Sequence, residues 1–409
     1  MPEDRAACAP ATETVEAARA KMLAAVRPLA PEPVDITAAL GRTLAETLHA
    51  ARSQPPFRSS AMDGYGVRAA DLAQGPFRVL GEAQAGKAYA GTVGASGAVR
   101  IFTGAPVPEG VEVVVPQERA RREGDRVWLE TPARPRANIR AVGIDFNAGE
   151  ELVRRGTRLN ARHVALIAAA GIASVSVMRR PRVAALATGN ELAPPGAHVA
   201  AYQIFDSVSF ALAAMIEEWG GRPKRGAVRP DEEGAIAAAT ERALEDADLA
   251  VIIGGASVGD YDLVKPALAR LGLSIAVPRI AIRPGKPTWF GTLGGKPVLG
   301  LAGNPAAAMV CAHLFLRPLL QALLAREPDE AAAAALLDGE LAESGANECY
   351  WRALVWTDPD ARMRVRPFTD QDTSLVSVFA AANALIRRPA GARAAVSGEA
   401  VEVRWLDRG

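Results

Sequence analysis

The fold is decided by the stretch Leu249-Ala-Val-Ile-Ile-Gly-Gly-Ala-Ser-Val-Gly-Asp-Tyr-Asp-Leu-Val-Lys265. It opens with an apolar run long enough for a fully buried strand. Gly254 and Gly255 follow, and glycines let the backbone turn sharply and approach a ligand closely. Asp260 and Asp262 then precede a helical pattern. By itself this order also fits an ordinary βα turn, but in an α/β sheet it places the loop at the carboxyl end of a strand, where ligands bind.

Strands and helices alternate on both sides of this stretch. A buried strand is predicted over residues 182–188, a helix from Ser207 onward, and another strand over residues 297–301. A long apolar helix is predicted to begin at Pro305. Such alternation is typical of a doubly wound, mostly parallel sheet with helices on both faces.

The regions outside this domain show different sequence patterns. Helical patterns over residues 12–27, 37–50 and 161–171 predict a helical domain that is interrupted by short β-forming runs. Glycine and proline turns separate those runs, and further short strands are predicted near the C-terminus. The expected fold class is α/β plus β in an elongated four-domain protomer. The expected boundaries are a discontinuous helical domain at 1–52 and 141–178, an inserted small β domain at 53–140, the α/β domain at 179–326, and a C-terminal β domain at 327–409.

Composition excludes several function classes. The formal net charge is +1 and aromatic residues make up 5%, so we expect neither a nucleic-acid partner nor a charged membrane surface. Three cysteines and four histidines show no disulfide or zinc-ligand spacing. The longest uncharged run covers residues 164–178, which is too short to span a bilayer. The N-terminus lacks the apolar core of a signal peptide, so we expect a soluble cytoplasmic protein without membrane partners.

Carboxylates follow several of the predicted strands. Glu191, Asp231 and Asp262 are all predicted at or just past strand ends of the α/β domain. Carboxylates at that edge suit Mg²⁺, which is held by a few oxygens together with ligand phosphates and water. Asp63 lies on a stiff turn, where it is either a backbone cap or a fixed carboxylate ligand. Asp231 is likewise open to a capping role for the helix after it.

Cations and backbone donors are predicted at the same edge. Arg283 and Lys286 flank a Pro-Gly pair after a strand, and such a loop suits a tetrahedral oxyanion. Gly254, Gly255 and the helix start after Asn304 add backbone N–H groups for further negative charge. No Walker A sequence and no Ser-His-Asp order is present. The pattern indicates a phosphorylated or nucleotide-like ligand with Mg²⁺, plus a second anion.

Six motifs in this order resemble one known family. They are Pro55-Pro-Phe-Arg-Ser-Ser-Ala-Met-Asp-Gly-Tyr-Gly-Val67, Thr103-Gly-Ala-Pro-Val-Pro108, Thr188-Gly-Asn-Glu-Leu192, Gly254-Gly-Ala-Ser-Val-Gly-Asp-Tyr-Asp262, Arg283-Pro-Gly-Lys-Pro287 and Gly303-Asn-Pro305. Together they are similar to the MoeA/gephyrin family, the molybdopterin molybdenumtransferases, over essentially the whole chain. The resemblance implies insertion of molybdate into adenylylated molybdopterin, with Mg²⁺-assisted cleavage and release of AMP. It also implies a homodimer, with molybdopterin adenylyltransferase and recipient molybdoenzymes as partners.

The resemblance also implies roles for individual residues. Metal or molybdate binding, or the cleavage itself, would fall to Asp63, Thr103, Glu191, Asp231 and Asp262, of which Glu191, Asp262 and Asp63 would bind the metal. Molybdate or phosphate would be held by Arg283 and Lys286. The pterin phosphate would be cradled by Gly254, Gly255 and Ser257, with Asp206, Ser207 and Asn304 nearby.

The chain departs from the family pattern at several positions. Ile252 and Ile253 stand where the family usually has small hydroxyl residues, which predicts a loss of side-chain donors in the phosphate loop. Ala302 and Val208 change two further motifs. Asp372 puts a negative charge where the family has glycine. These departures leave an alternative open, a divergent non-enzymatic carrier or insertion factor for molybdopterin or the molybdenum cofactor on the same fold.

Overall fold

The structure, a computed structural model, describes residues 12–130, 136–255, 263–327 and 332–406. Its helices are α1 (Val15–Ala24), α2 (Ala161–Ala169), α3 (Val208–Glu218), α4 (Glu233–Asp246), α5 (Val264–Ala269), α6 (Pro305–Cys311), α7 (Arg317–Leu323) and α8 (Val376–Ala381). Its strands are β1 (Pro31–Asp35), β2 (Leu48–His49), β3 (Ser59–Ser60), β4 (Gly64–Val67), β5 (Phe77–Ala83), β6 (Gly97–Ile101), β7 (Val113–Pro116), β8 (Ala120–Glu123), β9 (Arg126–Leu129), β10 (Ile139–Arg140), β11 (Glu151–Val153), β12 (Ser174–Met178), β13 (Arg182–Ala187), β14 (Leu192–Ala193), β15 (Ile204–Phe205), β16 (Arg222–Arg225), β17 (Leu249–Ile253), β18 (Ser274–Val277), β19 (Ile282–Arg283), β20 (Trp289–Leu293), β21 (Lys296–Leu301), β22 (Ala332–Leu337), β23 (Glu348–Thr357), β24 (Met363–Pro367), β25 (Ala384–Arg388) and β26 (Ala400–Trp405).

The chain forms two compact units. The first consists of Met1–Glu32, Gly41–Ala45 and Ser176–Gly409, and the second of Pro33–Leu40 and Glu46–Val175. The first unit therefore contains α1 together with the α/β sheet and the C-terminal strands. The four predicted domain boundaries remain a prediction beside this coarser division.

A six-stranded sheet forms the centre of the first unit. Its order is β16-β13-β17-β21-β20-β18, in which the first four strands run parallel and the last two pairs are antiparallel. One face packs against α1, α3 and α6, and the other against α4 and α5. The mostly parallel, doubly wound α/β sheet predicted from the alternating pattern is present.

Helices α6 and α7 are joined by a π-helical turn over residues 312–316 into one apolar helical segment. Within the described residues this segment, Pro305–Leu323, is the one helix long and apolar enough to cross a membrane. However, 83% of it is buried inside the structure. The apolar surface is used for packing on the sheet, as in the core helix of a globular domain.

The C-terminal strands close into a barrel. The order β23-β24-β22-β26-β25 returns to β23, and β19 pairs with β23 from outside the ring. Closure removes the free edges that an open sheet would present. The alanine-rich run at 332–337 forms β22. Alanine has a weak strand preference, so the pairing with β26 and β24 decides this strand.

The second unit carries the predicted β-rich region as a six-stranded sheet of order β7-β4-β6-β5-β9-β8. The helix predicted over 161–171 is present as α2. The helix predicted over 37–50 was wrong, because this segment contains a 3₁₀ turn at Ile36–Ala38 and the short strand β2. Backbone hydrogen bonds to a distant partner replace the helical ones, since β2 pairs with β11 about a hundred residues later.

Candidate functional site

Four loops meet at the carboxyl ends of the parallel strands. The Gly254 N–H donates to the Leu301 carbonyl at 3.2 Å, and the Thr188 N–H donates to the Ile253 carbonyl at 3.0 Å. The Gly189 N–H donates to the Arg229 carbonyl at 3.1 Å. The loops after β13, β16, β17 and β21 are therefore neighbours, as the sheet topology predicts for a ligand-binding edge.

Gly254 is the residue that permits this close approach. Its φ is +93°, and a Cβ atom there would lie 2.6 Å from the Thr188 carbonyl oxygen. Both the left-handed backbone and the lack of space therefore require glycine. Gly255 has a φ of +59°, and a Cβ there would clash with Val264. The predicted glycine turn is present up to residue 255, where the described segment ends.

The predicted acids Glu191 and Asp231 lie on adjacent loops of this edge. The Asn190 N–H donates to Oδ2 of Asp231 at 3.4 Å, and the Asp231 N–H donates to Oδ1 of Asn190 at 3.3 Å. The Glu191 carboxylate folds over Gly189, where a Cβ atom would lie 2.7 Å from its Oε2. Asp231 is therefore fixed by a reciprocal pair that the sequence did not indicate.

An open cleft of about 600 Å³ runs beside these loops. Its walls are formed by Gly189, Asn190, Leu192, Pro194 and the segment 225–230. Arg225 and Arg229 both line it. The cleft combines apolar walls with two cations, a composition that suits an anionic organic ligand.

A second pocket of about 220 Å³ lies beside strands β19 and β23 of the C-terminal sheet. It is lined by Arg283 and Pro284, by residues 349–352 of β23, and by residues 371–373. Arg352 is only 1% exposed, and among the described residues no carboxylate forms an ion pair with it. Burial lowers the pKa of Arg352, while Asp370 and Asp372 act in the opposite direction.

Arg352 is held in place by Gln371. Oε1 of Gln371 accepts from Nε of Arg352 at 3.2 Å and from its backbone N–H at 3.1 Å, and Nε2 of Gln371 donates to the Arg352 carbonyl at 3.0 Å. A buried cation without a paired anion is unfavourable, so this wall of the pocket is suited to a bound anion. Arg352 was not predicted as a site residue from the sequence. The available signal was an arginine at an inward-facing position of a strand.

The two predicted cations are placed differently. Arg283 lines the 220 Å³ pocket, whereas Lys286 is exposed and does not line it. The loop between them depends on Gly285, whose φ is +101° and where a Cβ atom would lie 2.0 Å from Sγ of Cys311. Burial raises the pKa of the Cys311 thiol to about 12, so this group packs as a neutral side chain.

Asn304 connects the two parts of the first unit. Its Nδ2 donates to Oγ1 of Thr373 at 2.7 Å, and the Ala306 N–H donates to the Thr373 carbonyl at 2.9 Å. The start of α6 is thus capped by the loop that lines the pocket of about 220 Å³. Asn304 was predicted to contact a ligand, and in the structure its amide nitrogen is bonded to Thr373.

Asp206 and Ser207 precede α3. Asp206 is 2% exposed, and its carboxylate accepts from the Ser209 N–H at 3.0 Å and from the Ser209 hydroxyl. This is a helix-capping arrangement. Ser207 is exposed, and Val208 is buried in the main core. The departure at Val208 therefore affects packing.

Asp63 and Thr103 are brought together in the second unit. Oδ1 of Asp63 accepts from the Thr103 N–H at 2.7 Å and from its hydroxyl at 2.8 Å. These two hydrogen bonds hold the pKa of Asp63 below its ordinary value. Thr103 is exposed and Asp63 is half-buried, so the Asp63 carboxylate is a fixed, ionised group near the surface of its unit.

Two predicted residues, Asp262 and Ser257, lie outside the described residues. Among the departures, Ile252 and Ile253 are buried within β17, one on each face of the sheet. The expectation that they remove donors from the phosphate loop was wrong, because side chains at these positions face the two cores.

Oδ1 of Asp372 accepts from the Ser374 hydroxyl at 2.6 Å and from its N–H at 2.8 Å, which lowers the Asp372 pKa.

The described residues contain no group of three or more His, Cys, Asp or Glu side chains that could hold a metal ion. Glu191 and Asp231 nevertheless offer carboxylate oxygens on neighbouring loops. Mg²⁺ is commonly bound through one or two carboxylates, with waters and substrate phosphates completing its shell. The residues present therefore fit a Mg²⁺ ion that is bound mainly through the substrate.

Comparisons with known proteins agree along the chain. Residues 13–171 match the profile described as the MoeA N-terminal region (domains I and II), residues 184–322 the probable molybdopterin binding domain, and residues 334–406 the MoeA C-terminal region (domain IV). A molybdopterin molybdenumtransferase from Nostoc is 36% identical over 92% of this chain and 88% of the relative. One from Bacillus subtilis is 33% identical over 91% and 89%.

A solved structure shows the same architecture. The molybdopterin biosynthesis MoeA protein from Pyrococcus horikosii matches with a TM-score of 0.85 and 31% identity, covering 98% of this chain and all of that one. The expected multi-domain fold, with helices, an α/β sheet and further β-sheets, is shown at this coarser level. The chain belongs to the MoeA family of molybdopterin molybdenumtransferases.

Proposed function

We propose that this protein transfers molybdenum, inserting molybdate into adenylylated molybdopterin with release of AMP. The single observation that carries the proposal is Arg352, a buried cation without an ion-pair partner among the described residues, on the wall of a pocket of about 220 Å³. A pocket of this size that is also lined by Arg283 suits a small tetrahedral oxyanion. The names of the curated relatives supply the substrate class.

The chain's own residues then have distinct tasks. Arg283 and Arg352 hold the oxyanion, and the hydrogen bonds from Gln371 keep the Arg352 guanidinium oriented before the ligand arrives. The backbone turn at Gly254 brings the phosphate-binding loop close to the strand ends. Glu191 and Asp231 would hold Mg²⁺, which neutralises the pyrophosphate charge when bound. Asp262 is proposed to contribute from the segment outside the described residues.

Reconstitution tests the proposal. Purified protein is mixed with adenylylated molybdopterin, molybdate and Mg²⁺, and AMP release and active cofactor are followed. We expect Arg352→Gln to lower molybdate affinity at least about tenfold, because a charged hydrogen-bonding group is lost. Arg362→Ala, on the exposed surface of the same barrel, serves as the matched control. Tight pterin binding without AMP release would contradict the proposal and favour a carrier function.

A homodimer, a cytoplasmic location, and contacts with molybdopterin adenylyltransferase and recipient molybdoenzymes belong to the same proposal. They rest on the family resemblance alone. Sedimentation of the purified protein measures the first, and a monomer that is active at nanomolar concentration would contradict it. Co-purification from cells grown with molybdate tests the partners.

A further inference from the structure

Asp372 is an acidic side chain in a pocket that otherwise suits anions. It lines the oxyanion pocket, the cavity of about 220 Å³ that is also lined by Arg283 and Arg352. Among the described residues, neither arginine forms an ion pair with it. The wall of the pocket therefore carries two cations and one separate carboxylate. Holding an oxyanion uses only the cations, which leaves the carboxylate without a role.

Hydrogen bonds within the loop fix the Asp372 carboxylate. Oδ1 accepts from the Ser374 hydroxyl at 2.6 Å and from the Ser374 N–H at 2.8 Å, and the Asp372 N–H donates to Oδ1 of Asp370 at 2.8 Å. The hydrogen bonds from Ser374 lower the pKa of Asp372, so this group is ionised at pH 7. No donor in the described part of the chain is bonded to Oδ2. Oδ2 is therefore available as an acceptor at the pocket wall.

An ionised carboxylate accepts hydrogen bonds but donates none. Sulfate and molybdate are fully deprotonated dianions at neutral pH, so either of them brings only acceptors to Oδ2 of Asp372. Two adjacent anions repel each other, and a proton bound between them relieves the repulsion. Paired carboxylates in aspartic proteases share a proton for the same reason. A basic oxyanion holds such a proton at lower cost, and molybdate is more basic than sulfate.

We propose that Asp372 is a specificity-determining residue of the oxyanion pocket, which selects molybdate over sulfate through a proton shared between Oδ2 and one oxygen of the bound anion. This role rests on the proposed function and concerns which anion the pocket admits. The proton is taken from solvent, and no bond to molybdenum or sulfur forms or breaks. Arg283 and Arg352 attract both dianions, so a repulsive element is needed to distinguish them.

The other titratable groups of the pocket do not account for this proton. Cys349 and Tyr350 line the same cavity. Burial raises the pKa of both side chains, so both are already protonated at pH 7. The two arginines are also fully protonated at this pH. A proton that is taken up when the anion binds is therefore held between the anion and Asp372.

Titration calorimetry on the full-length protein, with molybdate and sulfate as probes, tests this role. Runs at pH 7 in two buffers of different ionisation enthalpy measure proton uptake. We expect uptake of about one proton per molybdate in the wild type and none in Asp372→Asn. The amide keeps Oδ1 as an acceptor for Ser374 and replaces Oδ2 with a donor. Asp372→Asn should therefore tighten sulfate binding about tenfold or more and reduce the preference for molybdate.

Asp370→Asn is the matched control. It removes the same charge from the same loop, its side-chain carbonyl still accepts from the Asp372 N–H, and Asp370 does not line the pocket. We expect it to leave the proton uptake and the ratio of the two affinities unchanged. If thermal unfolding shows that Asp372→Asn is misfolded, Asp372→Gly replaces it, and the same loss of proton uptake is expected.

Binding and turnover separate the possible failures. Sulfate binding as tight as molybdate binding in the wild type would overturn this role of Asp372, even if the wild type releases AMP. The absence of binding by either anion, or equal proton uptake in the wild type and Asp372→Asn, would overturn it as well. If the selectivity and the proton uptake are present and depend on Asp372, but no AMP is released from adenylylated molybdopterin, the role of Asp372 stands and the proposed function fails.

Discussion

Replacing Gly285 with alanine should damage the first unit through two separable effects. The backbone φ of +101° is one that side-chain-bearing residues rarely adopt, which costs about 1–2 kcal/mol. The new Cβ would also lie 2.0 Å from Sγ of Cys311, and overpacking of this kind costs about 1–3 kcal/mol. We therefore expect Gly285→Ala to lower the free energy of unfolding by about 2–5 kcal/mol, from the sum of these two effects.

The chain provides a control for the backbone effect alone. Gly295 has a φ of +77°, and no atom lies within 4 Å of a Cβ placed there. Gly295→Ala should therefore cost only about 1–2 kcal/mol. The double variant Gly285→Ala/Cys311→Ala removes the clashing sulfur and should recover the steric part, which a double-mutant cycle measures as a coupling energy.

Urea unfolding followed by tryptophan fluorescence is the assay. Five of the six tryptophans lie in the first unit, so the signal reports mainly on that unit. Molybdate binding measured in parallel shows whether the Arg283 loop has moved. Equal losses in Gly285→Ala and Gly295→Ala, or a coupling energy near zero with Cys311, would refute the steric reasoning.

Three further outcomes follow from local contacts. Burial alone would raise the pKa of Asp248, but the paired hydrogen bonds from Arg179 outweigh it and leave that pKa below its ordinary value. Asp248 therefore stabilises the fold fully above about pH 4. Asp248→Asn should lower the free energy of unfolding by about 2 kcal/mol at pH 7, as measured by urea unfolding. A difference between the variant and the wild type that did not shrink as the pH fell below about 4 would contradict this expectation. Asn304→Ala should weaken molybdate binding severalfold, and Thr373→Val should weaken it to the same extent if their 2.7 Å hydrogen bond is the cause. An unchanged molybdate affinity in calorimetry would exclude this role of the hydrogen bond. Because burial raises the pKa of Cys349, its alkylation should be slow at pH 7, and molybdate should slow it further in peptide mapping.

The sequence by itself predicted the features that depend on local order. The apolar run of β17, the glycine turn at Gly254 and Gly255, and the helix that follows Ser207 were all predicted, because strand and helix periodicities and positive-φ turns are properties of neighbouring residues. Asp63 and Thr103 were also identified from the sequence, because each lies in one of the quoted motifs. Residues 37–50 were misread, because their backbone partners lie far away in the chain.

The binding features were decided by tertiary structure. Arg352 becomes a buried cation only when the C-terminal strands close into a barrel, and Gln371 orients it from a separate loop. Arg225 and Arg229 line one cleft because β16 pairs in parallel with β13, and Asn190 fixes Asp231 across the same two loops. Ile252 and Ile253 illustrate the converse, since β17 packs their side chains into the cores on its two faces. Burial, charge pairing and cavity shape depend on residues far apart in the chain, so the local sequence pattern alone does not determine them.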